Sequence, residues 1–222
     1  MEIKSKSLAK KRVSFRPPKE GFWTIPNEKG RWYLSTKFAG PMTQSEAGEY
    51  RSPDGFHALS TEEIFGIMGD LYFLRNRKGA VDDAKLFFKH AFDNALLTQT
   101  SVIYTLNGKD RVFHQHITEN KNFVREKKAE LVGYDGLIAN IPKRSSIALT
   151  GKTPEEISEL LDFFDLGEGH TFLPDSKSKF KYESSPRIVT LFKNSPSFYL
   201  AAIVPPHKDM QFLSAKFLPD KS

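Results

Sequence analysis

Cysteine is absent from this 222-residue chain. Disulfides and thiolate metal ligands are thereby excluded. Long apolar runs are missing as well: no segment approaches the roughly 18 residues needed to cross a bilayer. The charged N-terminal stretch is not followed by an apolar segment of the secretory kind, so the reading is an intracellular, cytoplasmic protein with no membrane partner. There is no internal repeat, no heptad run and no low-complexity tract. A phosphate-cradling loop of the GxxxxGK[ST] kind is also missing. Gly151-Lys152-Thr153 has the right ending, but the upstream glycine is replaced by Ser146. Glu155 and Glu156 follow closely and would repel an anion at that point.

What the chain does have is apolar bulk. Hydrophobic residues make up 39% and there are 19 Phe, which is material for a packed interior and argues against disorder throughout. Its charge is unevenly placed. Residues 1–19 hold Lys4, Lys6, Lys10, Lys11, Arg12, Arg16 and Lys19 against Glu2 alone, which accounts for the entire net charge of +6. The remaining 26 basic and 26 acidic residues cancel, being 33 less 7 and 27 less 1. The reading is a flexible basic arm, residues 1–19, on a single charge-balanced domain, residues 20–222.

Along that domain, Trp32-Tyr33-Leu34 reads as a strand paired with Phe22-Trp23-Thr24-Ile25. Residues 41–59, rich in Gly, Ser and Pro, read as a loop with a turn at Ser52-Pro53-Asp54-Gly55. Ser60 and Glu63 form a capping-box pattern that opens a helix. A second helix runs from about Val81 to Leu97, with Phe88 and Phe92 on its apolar stripe. The short link between the two predicts an antiparallel helix pair. Residues 120–133 read as an edge strand and Ile147-Ala148-Leu149 as a short one. Thr153-Pro154-Glu155-Glu156 is the clearest helix start, with Leu160 and Phe164 buried behind it. A hairpin over 187–204 and a strand near 212–218 close the chain. Strands come in hairpins and do not alternate with helices. The expected fold is therefore α+β: an antiparallel sheet built from hairpins, with about three helices packed on one face.

The segment Ser101–His116 reads as a hairpin about Asn107-Gly108. With an even-numbered loop, Val102, Tyr104, Leu106, Phe113 and Ile117 share one face with Arg111. His114 and His116 then share the other with Ser101, Ile103, Thr105, Asp110 and Val112. Two histidines side by side on a strand could supply an acid and a base to a phosphodiester, with Glu119 or His170 as a third group. His116-Ile117-Thr118 matches the His-x-Thr pattern of two-histidine phosphodiesterases. Those enzymes need two such motifs, and His170-Thr171-Phe172 has its threonine in the wrong place. No cofactor and no metal site are called for by these spacings.

The functional reading is a binding protein whose arm, through Lys10, Lys11, Arg12 and Arg16, engages nucleic acid non-specifically or an acidic protein surface. The alternatives are a phosphodiester hydrolase using His114 and His116, and an assembly or scaffold subunit.

Overall fold

Three helices begin where a Ser or Thr faces a Glu three residues on. In each, the hydroxyl accepts the N–H of that glutamate and the carboxylate accepts the N–H of the capping residue, so two otherwise unpaired donors are satisfied. Thr43 with Glu46 opens α1 (Gln44–Glu49), Ser60 with Glu63 opens α2 (Thr61–Phe73), and Thr153 with Glu156 opens α5 (Pro154–Phe163). The other two helices are α3 (Ala80–Asp93) and α4 (Lys143–Thr150). A computed structural model describes residues 21–76, 79–105, 109–118, 121–131, 136–173, 186–203 and 211–220. The basic arm, with Lys10, Lys11, Arg12 and Arg16, lies outside the described residues.

The strands are β1 (Phe22–Asn27), β2 (Gly30–Ser35), β3 (His57–Ala58), β4 (Leu96–Ile103), β5 (Asp110–Thr118), β6 (Lys121–Ala129), β7 (Gly136–Leu137), β8 (Gly169–Phe172), β9 (Arg187–Asn194), β10 (Ser197–Ile203) and β11 (Ser214–Pro219). A 3-10 turn, Ile138–Asn140, follows β7. The fold is α+β, as expected, but its strands divide into two sheets. The smaller runs β1-β2-β11-β3 and the larger β6-β5-β4-β9-β10-β8-β7, and among the described strands only β8 and β10 pair in parallel.

Helix α2 is the central element. It is buried on almost every side and packs against β1 of the small sheet, β4 of the large sheet, and α4 and α5. Helix α3 packs on β9. Helices α2 to α5 share one face of the large sheet. There Phe65 and Phe92 meet Phe198 of β10, while Phe88 and Phe164 lie edge to face at 5.3 Å. Phe88, Phe92, Leu160 and Phe164 are all buried, as the apolar stripes require. Short α1 lies on the opposite face, in a second cluster of Ala39, Ala47, Ala58, Leu97, Ile188 and Phe212. On that face Phe172, His170 and Phe192 stack about Tyr199 at 5.1–5.4 Å, leaving Phe172 49% exposed.

Four expectations are corrected. The loop over 41–59 contains α1, because Thr43 and Glu46 cap it. Ile147-Ala148-Leu149 is the end of α4, not a strand: Pro142 precedes the helix and Gly151, at φ +72°, stops it. The helix predicted to reach Leu97 stops at Asp93, and Leu96 already belongs to β4. The hairpin faces are also reversed on one strand. Ile103 sits opposite Arg111 and Val102 opposite Val112, so the connection is odd-numbered where an even one was expected. A shift of one residue turns every side chain of β5 over. Val102, Tyr104, Asp110, Val112 and His114 are therefore buried together, while Arg111 and Phe113 face outward with Ser101 and Ile103.

The α5 cap gives a stability prediction. Thr153→Ala removes the hydroxyl that accepts the Glu156 N–H and is expected to cost about 1 kcal/mol in a denaturant melt. An unchanged midpoint would count against the cap as a source of stability.

Candidate functional site

His114 is where the sequence pointed first, and the structure gives it a packing environment. Its ring is fully buried, and both nitrogens are hydrogen-bonded: Nδ1 to Thr100 Oγ1 at 2.8 Å and Nε2 to the Ala148 carbonyl at 2.7 Å. A carbonyl can only accept, so the proton on this side is carried by Nε2. The Thr100 oxygen accepts the Thr61 N–H at 2.9 Å, leaving its own proton for Nδ1. The line continues from Thr61 Oγ1 to Thr98 Oγ1 at 2.9 Å, and Thr98 donates to the Val189 carbonyl at 2.8 Å. One polar chain thus ties β5, α4, β4, α2 and β9 together through the core.

His116 continues β5 opposite Phe123; its side chain and Glu119 lie outside the described residues. His170 is not brought near His114, because β4, β9 and β10 stand between β5 and β8. It stacks on Tyr199 with Nε2 3.5 Å from Glu168. His57 is buried, 3.1 Å from the Glu63 carboxylate that caps α2, and His90 is exposed on α3. Among the described residues, no three or more histidines and carboxylates group as metal ligands.

Asp70, near the end of α2, is a buried acid held above its usual range. It is only 9% exposed and accepts from Asn27 Nδ2 at 2.8 Å. Burial raises its pKa to about 6, with the Asn27 hydrogen bond and the nearby Lys152 charge acting the other way. A raised acid pKa means that the native state holds its proton more tightly than the unfolded chain. Stability from this group is fullest below about pH 4, falls through pH 4 to 6, and is level above. Asp70→Asn keeps an acceptor for Asn27 and cannot ionise. It is expected to raise stability at pH 7.5 by up to about 3 kcal/mol and to change little at pH 4. Urea midpoints at the two pH values check this; an equal shift at both would refute it.

The feature that sequence reasoning missed is an open groove of about 640 Å³ on the outer face of the small sheet. Phe22, Tyr33, Phe38, Tyr50 and Phe56 supply its aromatic surface, and Lys37, Lys216 and Asp54 its charges. Strand alternation explains the composition. Phe22 pairs with Ser35, and Lys216 with Tyr33, so these side chains share the outward face, while Trp23, Leu34 and Ala215 point to the core. Phe22 lies 5.3 Å from Tyr33, edge to face, and 6.0 Å from Phe56. The turn at Ser52-Pro53-Asp54-Gly55 holds Phe56 in place: Ser52 donates its N–H to the Phe56 carbonyl, and its Oγ accepts the Phe56 N–H. Lys216 Nζ donates to the Asp54 carbonyl at 3.1 Å.

Gly21 lines the groove and is the first described residue after the arm. Its carbonyl accepts both the N–H and the hydroxyl of Thr36, at 3.0 and 2.9 Å. Gly21, which follows the arm in sequence, is therefore anchored within the groove's lining. Compared with protein families, curated proteins and solved structures, the chain matches none. Among the described residues no helix is long and apolar enough to cross a membrane.

Proposed function

We propose that this protein binds nucleic acid without sequence preference, with the arm of residues 1–19 supplying the contacts to phosphates. The observation that carries the reading is the placement of charge. The whole net charge of +6 precedes Glu20, on a body whose charges cancel. Counterion release from phosphates would make such an arm an affinity element independent of base sequence. Its attachment supports the reading further, because the chain that follows the arm begins its described course at Gly21, in the lining of a groove that carries Lys37 and Lys216.

The test is fluorescence anisotropy of the full chain with labelled oligonucleotides of unrelated sequence. Binding that is similar across sequences and weakens steeply with salt is the expected result. Absence of binding to any of them at about 50 mM salt, where phosphate contacts are strongest, would remove nucleic acid as the partner and leave acidic protein surfaces.

A further inference from the structure

The groove adds something that the arm cannot provide. Charge alone holds single strands and duplexes alike, whereas flat ring surfaces act only on bases that are free to leave their partners. We propose that the groove stacks unpaired bases of the strand whose phosphates the arm holds, so that the protein selects single-stranded over duplex nucleic acid. This rests on the reading of the arm given above.

Three observations support this occupant. The first is chemical: Tyr33, Phe56 and Phe22 are half-buried on an outward sheet face, with ring surface left open to the groove. Stacking on such rings tolerates any base, because every base has a π-face. The second is charge. Lys37 is exposed and Lys216 half-buried, and both line the same groove as the rings, so it carries positive charge that a strand's phosphates can meet. Asp54 is the single carboxylate on the wall, so anions are disfavoured at that end and base amino groups are not. The third is continuity. The arm enters at Gly21, next to Phe22 in the chain, so one strand can reach the arm and the rings together. At about 640 Å³ the groove falls within the roughly 300–1,000 Å³ typical of clefts for nucleotide-sized ligands.

The experiment compares the full chain with Tyr33→Leu, Phe56→Leu, Lys37→Gln and, as an aromatic control outside the groove, Phe172→Leu. Leucine keeps apolar bulk and removes the flat ring. The probes are a labelled oligothymidylate and a hairpin duplex of equal phosphate count, titrated at one ionic strength. The wild-type chain should prefer the single strand by at least about tenfold. Tyr33→Leu and Phe56→Leu should each lose about tenfold on the single strand and almost nothing on the duplex. Lys37→Gln should lower the salt slope by about one on the single strand. Equal wild-type affinity for the two probes, or ring variants that bind both as wild type does, would overturn the proposal while leaving the arm's role standing. A loss with Phe172→Leu as large as that with Tyr33→Leu would overturn it too, by moving the stacking surface to the large sheet. Failure of the wild-type chain to bind either probe would remove both readings together.

Discussion

His114→Ala is expected to lower stability by roughly 3–5 kcal/mol, among the largest effects of any single substitution in this chain. The imidazole is completely enclosed, and both of its nitrogens are used. Removing it strands the Thr100 hydroxyl and the Ala148 carbonyl without water to replace it, at about 1–3 kcal/mol for each buried group left unpaired. It also opens a cavity between β5 and α4. His114→Gln, which offers both a donor and an acceptor, should recover part of the loss. The measurement is urea unfolding, with the midpoint falling and the slope unchanged. A loss below about 1 kcal/mol would mean that the network relaxes around the gap and the histidine is dispensable.

Deleting residues 1–19 should have the largest effect on binding. Seven cations lie in that stretch, so if all contact phosphates the full chain's log affinity should fall against log salt with a slope of about −6 on duplex. Without the arm the slope on duplex should approach zero, and the truncated body should leave a cation exchanger well before the full chain. The thermal melt should hardly move, because the arm contains no apolar stripe to bury. A truncated body that binds as tightly and as salt-dependently as the whole would place the phosphate contacts on the folded surface. Lys37 and Lys216 would then be the side chains to replace.

Local signals in this sequence were legible where one short stretch sufficed. Ser60 with Glu63, and Thr153-Pro154 with Glu156, located α2 and α5 because the cap is made within a single turn. The same signal at Thr43 and Glu46 was obscured by the surrounding glycines, serines and prolines. Ile147-Ala148-Leu149 resembles a strand because three apolar residues carry no period; Pro142 and Gly151, at the two ends, were the informative residues. The hairpin failed on parity. Whether a turn holds an odd or even number of residues decides which face His114 takes, and Asn107-Gly108 alone does not fix that number. The groove was illegible for a different reason. Phe22, Tyr33, Phe56 and Lys216 are outward residues of the small sheet or its turns, drawn from opposite ends of the chain, and it takes the pairing of β11 with both β2 and β3 to bring them together.

That pairing also sets a schedule. Strand β11 lies between β2 and β3, so the small sheet has no middle until residues 214–219 arrive. On the ribosome, β2 keeps one edge unpaired while every strand of the large sheet is synthesised. The large sheet's strands are all made before β11 leaves the exit tunnel, whereas the wall formed by Ser214, Lys216 and Leu218 comes last. A chain extended only as far as β10 would therefore hold Phe22, Tyr33 and Phe56 without the strand that sets Ser214, Lys216 and Leu218 beside them, so the aromatic cleft is completed by order of synthesis and not by local folding of β1 and β2.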